Sequence, residues 1–309
     1  MPTLPAEGSG PHVIAGRRRP RLGRKESGMA YLFISPALIL FIVFTMLPAV
    51  MALFFSFTNY DILSALKWVG MDNFVRLWND EMFFRSLLNV TYYTVLFVPS
   101  MIVFSLAVAL ALNRDVPGMR LFRTIYYAPM VTSTVAASTV WIWLLHRDYG
   151  LINQLLSYVG IHGPAWLSNS NTAMIAIVVV TLWQGLGGNM IIYLAGLQGI
   201  PEHLYEAATV EGANKWQVFR YVTWPALRPT TFFVTINSLI GSFQLFDQAY
   251  VMTKGGPGNA TMTVVYNIYQ SGFEQLQMGY ASAQAFVLFL IILVVSLINI
   301  RFNRENMMV

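Results

Sequence analysis

Two rows of polar side chains interrupt otherwise apolar stretches of this chain. One holds Thr181, Gln184 and Asn189, with Trp183 among them. The other holds Asn237, Gln244 and Gln248, with Phe243 and Asp247 nearby. Asn237, Gln244 and Gln248 stand at i, i+7 and i+11, so a helix would put them on one face. Thr181, Gln184, Gly185 and Gly188 also recur at helical spacing, with Asn189 beside them. Amides and hydroxyls beside aromatic faces can grip a ring that presents C–H patches and a rim of hydroxyls. The same residue types also bond helix to helix inside a membrane, and both roles fit these rows. Asp247 is the one acid within a predicted span. Such an acid is costly and usually functional or paired, though the cost falls toward the interface.

Covalent chemistry finds little to work with. Cysteine is absent, which excludes disulfides, thiolate metal sites and thiol catalysis. His12, His146, His162 and His203 are scattered without metal-ligand spacing. No His/Asp/Glu cluster supports an enzyme within the membrane, so no catalytic or metal-binding residue is assigned. No G-x-x-x-x-G-K-[ST] or other phosphate-cradling glycine loop is present. A process that used ATP would hydrolyse it on another chain.

The elements that must position the polar rows are membrane spans. Hydrophobic residues make up 56% of 309 and charged residues 11%. Ordinary soluble domains carry about 25% charge, and the mean hydropathy here is +0.56. Apolar stretches long enough to cross ~30 Å of hydrocarbon predict an all-α, polytopic membrane protein of about six helices. The predicted spans are 31–57, 86–112, 122–146, 172–198, 230–252 and 279–301. Residues 1–30 are polar with a basic run (Arg17, Arg18, Arg19, Arg21, Arg24, Lys25), and are expected to be disordered. A short interfacial helix around Asp72–Phe74, between Trp68 and Trp78, is expected in the first outer loop. Residues 253–278 are expected to be an outer loop, and 302–309 a cytoplasmic tail.

The bases are distributed with a bias. Fourteen fall on the side of the N-terminus and five (Lys67, Arg76, Arg85, Arg147, Lys254) on the other. By the positive-inside rule both termini are expected in the cytoplasm. The net charge of +5 therefore reports orientation, and no nucleic-acid partner is implied.

The longest polar passage between spans is 201–229, PEHLYEAATVEGANKWQVFRYVTWPALRP. Glu202 to Val210 suits a helix, with acids in its first turns where the dipole favours them. Gly212 is the natural break. Ala213 to Val222 suits a second helix, with Trp216, Phe219 and Tyr221/Val222 roughly on one side. Pro225 and Pro229 punctuate the entry into the next apolar segment. A connector needs only a few residues, so this bent element is shaped to present a surface.

Glu206-Ala207-Ala208, then Gly212-Ala213, Phe219, Pro225 and Pro229, resembles the EAA loop of permease subunits in ATP-binding-cassette importers. Glu211 stands where Asp is usual, and Val222 and Trp224 where Ile and Leu are common. Ala195-Gly196-Leu197-Gln198, Gly255-Gly256-Pro257 and Tyr280-Ala281-Ser282-Ala283 look like the carbohydrate-uptake branch, and the resemblance runs from about Tyr31 to the end. It implies the type I importer transmembrane fold (MetI-like). It implies a second permease in a heterodimer, two copies of an ATPase carrying ATP and Mg, and an extracytoplasmic solute-binding protein. The chain itself would need no cofactor. Glu206, Ala207, Ala208, Gly212 and Ala213 would couple to the ATPase, and Thr181, Trp183, Gln184, Asn189, Asn237, Phe243, Gln244, Asp247 and Gln248 would meet a sugar. A glycerol phosphate or its diesters is an alternative solute. It would call for Arg or Lys in the path, and none lies at the middle of a predicted span. An ion-coupled carrier acting alone would need intramembrane charge beyond Asp247.

Overall fold

The computed structural model describes the backbone of residues 24–62, 64–114 and 116–307, and side chains from 32 to 301 within those ranges. Most of the basic segment expected to be disordered, residues 1–23, lies outside them, as do residues 308–309. The helix already begins at Arg24, so residues 24–30 correct that expectation. Helix-favouring Arg-Lys-Glu lets the apolar helix propagate backward.

The chain divides into two units at Met51–Ala52. The first is one helical rod: α1 (Arg24–Phe41), a π turn (Ile42–Met46) and the start of α2 (Leu47–Phe55). The π turn stands just ahead of Pro48, whose missing N–H leaves a ladder bond unfilled. No described side chain from Leu32 to Met51 is buried, and the rod is apolar all round. Helices of that kind belong in lipid or against another helix.

The second unit is built on α4 (Glu81–Leu112) and α8 (Ser170–Gln198), which pack along each other. Flanking them are α5 (Met119–Val131) and α12 (Arg228–Phe243), while α14 (Met278–Met307) packs against α12 and α3 (Asp72–Trp78). Gly187 sets the α5–α8 approach: a Cβ there would stand 2.2 Å from the Tyr126 carbonyl oxygen. One end of the helix bundle is tied by polar groups. Asp80 caps α4, accepting from the N–H of Met82 at 2.9 Å and Phe83 at 3.2 Å, and also accepts from the Tyr280 hydroxyl of α14. Asn73 of α3 is buried and donates to the carbonyls of Ser56 at 2.9 Å and Thr58 at 2.8 Å.

Among the described residues, four helices are long and apolar enough to cross a membrane: Leu32–Phe55, Glu81–Leu112, Ser170–Gln198 and Met278–Arg301. The other two expected spans are broken. The third is α5 followed by α6 (Thr134–Leu144), with extended backbone at Thr132 and Ser133. Pro129 has no N–H for the ladder, and the Thr132 hydroxyl closes on the Pro129 carbonyl at 2.6 Å. The fifth does not run unbroken over 230–252. α12 stops at Phe243, and helical winding resumes at Asp247, ending in a π turn (Ala249–Thr253).

The stretch expected as an outer loop over 253–278 is also different. It contains α13 (Val264–Tyr269) and a π turn (Gln270–Glu274), and Thr261, Thr263, Val264, Tyr266, Asn267 and Ser271 are buried. Thr263 explains the fold-back. Its hydroxyl donates to the Leu245 carbonyl at 2.7 Å, satisfying a group that the break sets free. Among the described residues the β pairing amounts to one isolated bridge, Thr58 with Trp68.

Candidate functional site

The break in the fifth span opens a cavity of about 750 Å³ against α4, α5 and α8. From α4 come Tyr93, Phe97 and Met101, at i, i+4 and i+8, with the two rings stacked at 5.1 Å. From α5 come Tyr127 and Met130, and from α8 Thr181, Gly185, Gly188 and Asn189. Asn237 and Ser238 of α12, then Gln244, Phe246, Asp247 and Gln248, complete the wall. The Ser238 hydroxyl is buried without a partner in the chain. Gln244 and Asp247 are exposed. No Arg or Lys among the described residues lines the cavity. An unpaired hydroxyl, the amides of Asn237 and Gln244, and ring faces match a polyhydroxylated ligand; an anion would find no cation among these residues.

Six of the nine candidate solute residues thus meet in one place: Thr181, Asn189, Asn237, Gln244, Asp247 and Gln248. The other three stand elsewhere. Gln184 is buried behind the wall, donating to the Thr132 carbonyl at 3.3 Å and Thr134 Oγ1 at 3.2 Å, and accepting from Gln248 Nε2 at 3.3 Å. Trp183 turns outward, edge-on to Trp141 at 5.6 Å. Phe243 is in the core with Phe83, Val90, Tyr280 and Leu288. On α8, at 100° per residue, Trp183 leaves the helix nearly opposite Thr181 and Gly185, and Gln184 leaves at the edge of their face, while Phe243 ends α12 on the side of the core. Polar spacing alone misses Tyr93, Phe97, Tyr127 and Phe246, although the four-residue spacing of Tyr93, Phe97 and Met101 is visible in the sequence.

Aromatic rings continue from the wall. Phe246 stacks on Tyr250 at 5.3 Å, Tyr250 meets Tyr269 edge-on at 5.4 Å, and Tyr269 stacks on Phe273 at 5.5 Å. A hydrogen bond with Tyr250 holds the Tyr269 phenol above its usual range.

The second candidate site is the bent element after α8. α9 (Glu202–Val210) ends at Glu211, and Gly212 takes φ +76°, where a side chain is strained. The Ala213 N–H then reaches the Ala208 carbonyl at 3.0 Å. The second limb starts later and runs further than expected, through α10 (Lys215–Val218), a π turn (Phe219–Thr223) and α11 (Trp224–Ala226). Asn214 and Gln217 form a capping box at its start. Its apolar side is Trp216, Phe219 and Trp224, whereas Tyr221 is 75% exposed. Tyr205 and Thr223 hydroxyls lie 3.3 Å apart and brace the two limbs. Glu206 and Ala207 face solvent; Ala208 is buried over a notch shared with Gly212, Ala213 and Val218. α9 is the outward face of a braced elbow whose arms are α8 and α12, two walls of the cavity.

Residues 79–305 match the family described as binding-protein-dependent transport system inner membrane component. The chain is 38% identical to the probable ABC transporter permease protein YesP of Bacillus subtilis, over 91% of this chain and 92% of that one. It is 38% identical to the arabinooligosaccharides transport system permease protein AraP of Halalkalibacterium halodurans, over 86% and 85%. A permease chain of a bacterial alginate ABC transporter, solved with an alginate pentasaccharide-bound periplasmic protein, superposes with a TM-score of 0.81 at 23% identity, over 91% of this chain and 96% of that one. That likeness gives the fold.

Proposed function

The chain belongs to the binding-protein-dependent transport system inner membrane components, and from that premise we propose that it passes a neutral sugar or oligosaccharide into the cytoplasm. It is a transport subunit, a multi-pass membrane permease without an enzymatic role of its own. The observation that carries the solute class is the cavity wall: Asn189, Asn237, Gln244 and Gln248 beside Tyr93, Phe97, Tyr127 and Phe246, with no base among them. A phosphate ligand would call for Arg or Lys in that wall. The arabinooligosaccharide name of one relative leans the same way.

ATP and Mg sit on a partner ATPase. Glu206 and Ala207 meet it, since they alone of the EAA triplet face outward; Ala208, Gly212 and Ala213 hold the elbow's shape. Closure of the ATPase dimer pushes α9, and the Tyr205–Thr223 brace passes that push to both arms. α8 and α12 tilt together, and the cavity changes the side to which it opens. One elbow serves one ATPase copy, so a second permease, two ATPases and an external solute-binding protein complete the machine. Both termini then lie in the cytoplasm.

The test is uptake by the complete transporter in proteoliposomes, offering neutral di- and trisaccharides against glycerol 3-phosphate. Uptake of a neutral saccharide that needs ATP supports the reading. Uptake restricted to the phosphate, or uptake without ATP, overturns it.

A further inference from the structure

A second cavity, of about 530 Å³, lies on the far side of α4 from the solute wall. Its floor is Val103, Leu106, Ala107 and Leu110, which at 100° per residue point away from Tyr93, Phe97 and Met101. Its end is closed by the elbow's second limb: Trp216, Phe219, Trp224 and Arg220. Val103 and Ala107 are exposed, and Trp216 is 69% exposed. Arg220 is exposed on the π turn, and no carboxylate among the described residues pairs with it.

An apolar trough along a membrane helix, ending in tryptophans and one unpaired guanidinium, has the outline of a lipid. Tryptophan anchors at headgroup level. A basic pocket between helices on the cytoplasmic side attracts acidic headgroups, at about 1 kcal/mol per base. Arg can bond two phosphate oxygens at once. We propose that this groove seats one anionic phospholipid of the inner leaflet, with its phosphate on Arg220 and an acyl chain along α4. The seated lipid braces the elbow's second limb against α4, opposite the solute path. This rests on the reading that puts the elbow in the cytoplasm.

The experiment uses the complete transporter in nanodiscs of mixed phosphatidylcholine and phosphatidylglycerol, with retained lipid identified by native mass spectrometry. The expected result is enrichment of phosphatidylglycerol, reduced about fivefold in Arg220→Ala and largely kept in Arg220→Lys. Ala107→Trp, which fills the trough from an exposed position, removes the enrichment. Since the chain has no cysteine, Ala107→Cys carrying a photoreactive maleimide should form a lipid adduct. Equal retention by wild type and Arg220→Ala, or a protein adduct at position 107, overturns the proposal. Retention is read without solute, so its loss beside normal saccharide uptake sinks the lipid site alone. Kept enrichment with failed saccharide uptake sinks the solute reading alone.

Discussion

Gln248, where the fifth span resumes, donates its side-chain amide to Gln184 of α8 across 3.3 Å, and both are buried. Gln184 in turn donates to Thr132 and Thr134 at the break in the third span. One amide therefore joins the two discontinuities in the fold. Breaks leave backbone groups without partners, and a long polar side chain on the intact neighbour takes up part of that deficit.

Gln184→Leu should therefore act at a distance from the solute. It strands the Gln248 amide in a buried site, at a cost of about 1–3 kcal/mol. Thermal unfolding in detergent should show a clear loss, and Gln184→Leu with Gln248→Leu should cost less than the two singles added. Simple additivity would show that the pair is not coupled.

Gly187 lets the backbone of α5 lie close against α8. Gly187→Leu must push α5 away, because its Cβ would meet the Tyr126 carbonyl oxygen at 2.2 Å. Folded yield should collapse. Gly241→Ala, with nothing within 4 Å of its Cβ, should be tolerated in the same assay.

At the elbow, Gly212→Val puts a β-branched residue at φ +76°. That costs at least about 1–2 kcal/mol locally, and it distorts the elbow that is proposed to carry the push. The protein should insert normally while uptake fails and ATP hydrolysis no longer responds to solute. Gly212→Asn, which tolerates this conformation, should retain transport.

For the cavity, Gln244→Ala and Phe246→Ala should raise the solute concentration needed for half-maximal uptake. Assembly with the ATPase, measured by co-purification, should be unchanged. Trp183→Ala should leave that concentration alone, since its ring faces outward against Trp141.

The lack of native cysteine makes topology directly testable. Ala207→Cys should react with a membrane-impermeant maleimide from the cytoplasmic side and stay silent in intact cells. Labelling from outside would invert the orientation of the whole chain.

Much of this protein is dictated by composition and short motifs. Long apolar runs force helices, because backbone polar groups in hydrocarbon must bond within their own segment. Gly212 between two amphipathic limbs dictates a bend, because its position needs a conformation that side chains resist. Those are local requirements, and local sequence carries them.

The cavity wall is different. Its polar members are visible in the sequence, but polarity and nearness in the chain also assign Gln184, Trp183 and Phe243 to it. Whether a span breaks at Thr132 or at Gln244 depends on distant partners, the Gln184 amide for one and the Thr263 hydroxyl for the other. Tyr93 and Phe97 read as ordinary span residues until α8 and α12 stand opposite them. Sequence spacing sets which way a side chain leaves its helix, while only the packing of helices decides what it then faces.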